Sequence, residues 1–220
     1  MILVVRGGLI VLLACLPLPH ALAADSCPPT PRQTAGPYYP PKTQIEAQQD
    51  KDNDLTRIKG HTGKAKGQLL YVMGRVRDAQ CRPIDGAVVE IWQASEDGRY
   101  HHPDDSDNPK PLDPDFQYWG TYTTGKDGSY LFKTIKPAPY SVGLGGMRPA
   151  HIHFKVSHPQ FGGFITQMYF SGDAYQDKDR IFRAIPAAER PRVVVTMEPP
   201  GADQEPDARI CRFDVTISRP

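Results

Sequence analysis

The residues of this 220-residue chain whose types and spacing come closest to chemistry are Arg148-Pro149-Ala150-His151-Ile152-His153-Phe154. Residues two apart on a strand share a face, so His151 and His153 would present their imidazoles side by side while Ile152 and Phe154 turn the other way. Two such imidazoles make half of a metal site. They also fit a pair of strand histidines satisfied by neighbours or by solvent, and His-x-His alone does not choose. Two tyrosines stand beside turn residues, Tyr100 in Gly98-Arg99-Tyr100 and Tyr140 in Pro137-Ala138-Pro139-Tyr140. A tyrosine so placed is ordinarily an amphipathic packing residue with its hydroxyl wet. His101 and His102 lie in a run of His, Asp and Pro that reads as solvated. Asp104, Asp105 and Asp107 lack the spacing of a calcium loop and are expected to form a wet loop face.

The elements that must carry these residues are short β-rich runs separated by turn residues: 69–76, 87–92, 129–135, 150–156, 164–170, 192–197 and 210–217. Asp85-Gly86 and Asp127-Gly128 are turn dipeptides between such runs. This spacing predicts an all-β fold, an antiparallel sandwich, with one short helix over 176–185. Two connections, 96–119 and 136–148, are far longer than a hairpin needs, and in a compact β domain such loops are usually functional. They hold Tyr100 and Tyr140. Ahead of the strands, residues 24–67 lack apolar periodicity and read as an arm laid on the core, with 68–220 as the domain proper. Within the arm, Gly36-Pro37-Tyr38-Tyr39-Pro40 is an aromatic turn read as packing rather than as a substrate contact.

Residues 1–23 have the composition of a signal peptide: Arg6 is the only charge, an apolar run follows, and Ala21-Leu22-Ala23 is an A-x-A site. Leu12-Leu13-Ala14-Cys15 offers a lipoprotein-type site at Cys15 as the lesser alternative. Either implies an exported, periplasmic or secreted protein, and the run is too short and too soon broken by Pro17 and Pro19 for a membrane-spanning helix. In an oxidising compartment Cys27, Cys81 and Cys211 would form one disulfide and leave one thiol, with three pairings open. With 26 Lys+Arg against 25 Asp+Glu and no block of either sign, nothing suggests a nucleic-acid or anionic-membrane partner.

Three stretches together, from Gly86 to Tyr100, from Asp127 to Tyr140 and from Arg148 to Phe154, resemble the intradiol ring-cleavage dioxygenases, closest to the protocatechuate branch and its exported single-domain relatives. The likeness runs from about Gln33 to Ile185. It implies a mononuclear non-haem Fe(III) held by Tyr100, Tyr140, His151 and His153. Phenolate suits a hard ferric ion, and two phenolates with a hydroxide would cancel its three charges. It further implies a catechol derivative and O2 as substrates, opening of the ring between the hydroxylated carbons, and a cis,cis-muconate type of product. Tyr140 would take a substrate proton, Arg148 would stabilise charge on the ring, and Gln167 matches the family's active-site glutamine. Oligomers are common in that family, so a homo-oligomer is among the implied partners. Residues 141–147 are glycine-rich and lack the tryptophan and arginine that many protocatechuate enzymes carry there.

Two competing readings explain less. A non-catalytic exported prealbumin-like β-sandwich binding module accounts for the scaffold and leaves Tyr100, Tyr140, His151 and His153 as coincidence. A cupin-type metal enzyme also uses His-x-His but wants a glutamate about four residues after His153, where Ser157 and His158 stand.

Overall fold

A computed structural model describes Ile2, residues 26–143 and residues 146–219. Apart from Ile2, the expected leader over 1–23, Cys15 included, lies outside the described residues. Among the described residues eleven strands form two main sheets and a small ladder. In the first sheet β1 (Leu69–Asp78) pairs antiparallel with β4 (Ser129–Ile135) and, on its other edge, parallel with β10 (Arg209–Arg212) and then β11 (Val215–Ile217). The second has the order β3 (Trp119–Thr123), β2 (Val88–Trp92), β7 (His151–His158), β8 (Gly162–Phe170), β9 (Val194–Val195). A two-residue ladder joins β5 (Tyr140–Ser141) to β6 (Met147–Arg148).

The sheets face each other across a core drawn from alternate strand positions: Leu70, Val72 and Val76 from β1, Val89 and Ile91 from β2, and Ile152, Phe154 and Val156 from β7, all at most 1% exposed. Alternation thus fixes which face of β7 is spent on folding. His151 and His153 fall on the opposite face, with a second cluster of Trp92, Tyr100, Trp119 and Tyr140.

The sandwich is mostly β as expected, but its sheets are mixed rather than antiparallel. The last segment returns along β1 in the same direction, and β9 runs parallel to β8. The run 210–217 is two strands, because at the break between them the Asp214 carboxylate, not a ladder carbonyl, takes the Arg75 N–H at 2.9 Å. The run 192–197 shrinks to Val194–Val195, since Arg190–Arg192, with its proline, closes a 3-10 turn. The helix over 176–185 is two pieces, a 3-10 turn at Gln176–Lys178 and α2 (Arg180–Arg183). Asp179 between them is extended at ψ 126° and its carboxylate accepts the Phe182 N–H, so it restarts the helix as an N-cap. Among the elements that went unread are α1 (Lys42–Ala47) in the arm, the two-residue β5 and β6 inside the expected loop 136–148, and β3, whose β-prone Trp-Gly-Thr-Tyr-Thr sequence was signal enough. Cys27 pairs with Cys81, holding the arm to the end of β1, and Cys211 is a buried free thiol. Among the described residues no helix is long and apolar enough to cross a membrane.

Candidate metal centre

Strand pairing places the histidines. His153 lies opposite Trp92 on β2 and opposite Gln167 on β8, and His151 opposite Tyr169. Side chains directly opposite share a face, so one sheet face presents Trp92, His153, His151, Gln167 and Tyr169 together. The Trp92 indole stacks on the His153 ring at 4.6 Å and 7° between planes. Both histidines are at most 2% exposed. The His151 Nδ1–H donates to the Pro149 carbonyl at 2.7 Å, which leaves its Nε2 with a lone pair, and that atom faces His153 Nε2 at 3.2 Å.

Loops place the tyrosines. Gly98 makes the turn before Tyr100 with φ +80°, and a Cβ there would meet the Pro139 carbonyl oxygen at 2.8 Å, so a glycine lets the two long loops cross. The Ser95 carbonyl accepts the Ala138 N–H at 3.1 Å across the same crossing. The Asp105 carboxylate accepts the Tyr100 N–H at 2.7 Å. Tyr140 is fixed at the start of β5, opposite Arg148. The result is a closed set of four rings, with centroid separations of 5.3 Å for Tyr100–Tyr140, 5.7 Å for Tyr140–His151, 4.7 Å for His151–His153 and 6.2 Å for His153–Tyr100.

Polar satisfaction tests whether a cation fits. The Tyr100 hydroxyl and His153 Nδ1 are buried without a hydrogen-bond partner. Either tautomer of His153 leaves the pair in debt: a proton on Nε2 strands a lone pair at Nδ1, and a proton on Nδ1 sets two lone pairs against each other. A cation between the Nε2 atoms removes the second conflict. Burial pushes the His151 pKa down to about 3 and, with the repulsion of His151, that of His153 well below its usual value, so both rings are neutral and ligand-competent. Burial raises the Tyr140 phenol to about 12 and that of Tyr100 well above its usual value, so they would ionise only against a strong cation. No group of three His, Cys, Asp or Glu side chains gathers among the described residues, so a metal here would need the tyrosine oxygens. Two hard phenolates with two imidazoles suit a ferric ion.

Arg148 sits at the edge of the rings, 6% exposed. Its Nε donates to Asp179 Oδ2 and its Nη2 to Gln167 Oε1, both at 2.6 Å. Gln167 in turn donates to the Thr34 carbonyl at 2.9 Å, and the Tyr169 hydroxyl lies 2.8 Å from Gln33 Oε1. A guanidinium held at two nitrogens has one orientation.

All the expected site residues, Tyr100, Tyr140, His151, His153, Arg148 and Gln167, are therefore neighbours. His101 is exposed as expected, but His102 is not solvated: its side chain is 7% exposed, meets the Tyr38 ring edge-on at 5.8 Å and accepts the Asp104 N–H at 3.1 Å. Asp104 and Asp107 are wet as expected, but Asp105 is not: it is 8% exposed because it holds the Tyr100 turn. Four residues were missed. Tyr38 from the aromatic turn stacks on Tyr100 at 4.6 Å and meets Tyr140 edge-on at 5.9 Å. Tyr39 beside it packs edge-on against Trp92 at 4.9 Å, its hydroxyl donating to Glu90 and accepting from Lys155. Trp92 backs His153, and Asp179 orients Arg148. Only Asp179 carried a local signal, an Asp immediately ahead of a helical run.

The family profile described as Dioxygenase matches residues 34–218. The chain is 41% identical over 146 residues to the protocatechuate 3,4-dioxygenase beta chain of Burkholderia cepacia, which covers 65% of this chain and 62% of that protein. It is 32% identical over 125 residues to a catechol 1,2-dioxygenase of Candida albicans, covering 51% and 40%. The chain thus spans less than two thirds of the length of these curated relatives. Among solved structures, the dioxygenase domain of a dioxygenase carbohydrate-binding protein fusion from Streptomyces sp. SirexAA-E aligns with TM-score 0.60 and 26% identity over 88% of this chain and all of that one. The 3-chlorocatechol 1,2-dioxygenase of Rhodococcus opacus 1CP shares the fold at TM-score 0.66 and 21% identity, over 87% of this chain and 73% of that one.

Proposed function

This chain belongs to the intradiol ring-cleavage dioxygenase family, and from that premise we propose that it opens the ring of a catechol between the two hydroxylated carbons, using O2 and a mononuclear non-haem Fe(III) held by Tyr100, Tyr140, His151 and His153. The observation that carries the reading is the convergence of two neutral imidazole Nε2 atoms and two buried phenols on one spot, with polar atoms left unpaired there. A bound ferric ion would supply Lewis acidity, drawing electron density from a chelated catechol so that O2 adds to the ring. Catechol plus O2 balances to a cis,cis-muconic acid with no external reductant.

The chain's own residues do the rest. As phenolate, the Tyr140 oxygen accepts a proton from a substrate hydroxyl, a general base that becomes the neutral phenol its burial favours. Arg148, its guanidinium fixed by Asp179 and Gln167, stabilises negative charge growing on the ring carbon in a site shielded from water. Tyr38, Trp92 and Trp119 wall the cluster with aromatic surface. Export belongs to the same proposal: the leader composition and the Cys27–Cys81 disulfide support a periplasmic or secreted enzyme.

Iron-loaded protein is expected to be coloured by tyrosinate-to-iron charge transfer, and to bleach when Tyr100 or Tyr140 is replaced by Phe. With a catechol it should consume O2 and release a muconate. Replacing Arg148 with Ala should lower turnover on the order of 10²-fold with iron content kept. A colourless protein after iron supplementation, or an aldehyde-bearing extradiol product, would overturn the reading.

A further inference from the structure

Beside Arg148 opens a cleft of about 1020 Å3, bounded by Met147 and Arg148 of β6, by Ile181 and Ile185 of the α2 segment, and by Lys178 and Arg180. Pockets that take drug-sized ligands run from about 300 to 1,000 Å3, so this cleft has room for far more than one six-membered ring. Val142 and Tyr175 also line it and are 56% and 37% exposed, apolar surface left uncovered at its mouth. The cleft and the four-ring cluster meet at Arg148, which stands opposite Tyr140 in the β5–β6 ladder.

The charge in the cleft is one-sided. Arg148 is matched by Asp179 at 2.6 Å, and Glu189 is matched by Arg192 at 3.3 Å. Arg32 spends its guanidinium on the Gly163 carbonyl and the Phe164 ring. Lys178 and Arg180 are exposed, and among the described residues no carboxylate lies within 4.0 Å of either. They flank in sequence the very residue, Asp179, whose carboxylate grips Arg148. Two cations thus stand one residue to either side of the cleft's inner contact, with an apolar wall, Ile181 and Ile185, beside them.

We propose, resting on the ring-cleavage reading, that this cleft binds a substituent of the substrate: the preferred catechol carries an apolar arm of a few carbons that ends in a carboxylate. The ring lies at the Arg148 end, the arm packs over the half-buried Ile181, with Ile185 closing the cleft beneath it, and the carboxylate meets Lys178 and Arg180. The apolar wall selects the arm by area removed from water, and the two cations select its anionic end.

The test compares catechol, 4-ethylcatechol and 3-(3,4-dihydroxyphenyl)propanoate on the iron-loaded full chain, reading anaerobic binding from the shift of the visible band and turnover from O2 uptake. The acid is expected to bind about tenfold more tightly than 4-ethylcatechol, the scale two partly exposed ion pairs can supply, and added salt should shrink that ratio. In the Lys178→Ala/Arg180→Ala double variant the ratio should fall toward one, and in Lys178→Glu/Arg180→Glu it should invert. Equal affinity for the acid and 4-ethylcatechol, or a ratio that survives charge reversal, overturns the proposal. That failure is distinct from failure of the ring-cleavage reading, in which catechol itself would neither shift the band nor be consumed.

Discussion

The two histidines and the two tyrosines reach one cluster by opposite routes. His151 and His153 ride a strand paired on both sides along most of its length, so their positions are those of the sheet. Tyr100 and Tyr140 ride two loops that fix each other through two contacts, Gly98 beneath the Pro139 carbonyl and the Ala138 N–H on Ser95, while Asp105 holds the Tyr100 N–H within its own loop. A ladder spreads its tolerance over many hydrogen bonds, whereas a loop crossing depends on one or two. The neutral donors are therefore set by the fold as a whole and the phenols by local geometry.

Removing a strand-held donor should cost the most. His153→Ala is expected to lower iron affinity by on the order of 10²-fold or more, measured by iron content and chelator competition, while far-ultraviolet dichroism stays that of the parent. Tyr140→Phe should retain more iron than His153→Ala, because three donors and an intact sheet remain. Equal loss in the two variants would erase the distinction between the routes.

Metal-free protein should show the same division as two pH windows. The folded pKa of His151 is about 3, below the ordinary histidine value, so the unfolded chain binds the extra proton first on acidification. Its contribution to stability is present above about pH 6.5 and is lost as pH falls toward about 3, at up to about 1.4 kcal/mol per pH unit for each such group. Tyr140 has the opposite sign: its folded pKa is raised to about 12, so stability is present below about pH 10 and lost as pH rises toward 12. Urea midpoints across pH read both windows. His151→Phe should make the acid one shallower, leaving the part that buried His153 supplies, and leave the alkaline one unchanged; a variant that weakens both would show that the two pairs are not held independently.

What the sequence disclosed follows the same line. Alternation with period two put Ile152 and Phe154 in the core and His151 and His153 opposite them, because a strand's side-chain direction is a local property. Family motifs brought Tyr100, Tyr140, Arg148 and Gln167 to the same place. Asp105 and Tyr38 escaped because their roles are set by contacts across the chain or by loop turns that have no period, and Asp179 announced its helix start but not the guanidinium it holds. Asp105 looks like any acidic loop residue until Tyr100 N–H is seen to point at it, and Tyr38 reads as arm packing until the arm is laid over Tyr100. The parallel return of β10 and β11 along β1 was equally silent, since a strand's sequence does not state its direction.

Two glycines isolate the loop crossing from simple backbone strain. Gly98 and Gly36 both have positive φ, +80° and +67°, so an alanine at either carries a left-handed penalty of about 1–2 kcal/mol. They differ in what the new Cβ would touch. At Gly98 it meets the Pro139 carbonyl oxygen at 2.8 Å, backbone that can yield only if the second tyrosine loop moves; at Gly36 it meets His153 Cε1 at 3.5 Å, an ordinary contact with a ring the sheet already holds. Gly98→Ala should therefore cost about 3 kcal/mol, strain plus overpacking, and shift the visible band of the iron-loaded protein. Gly36→Ala should cost about 1 kcal/mol and leave the band in place, with urea denaturation and absorption as the measurements. If the two substitutions cost the same and neither moves the band, Pro139 gives way freely. The tyrosine loops would then not be fixing each other, and the phenols would owe their positions to something other than the crossing.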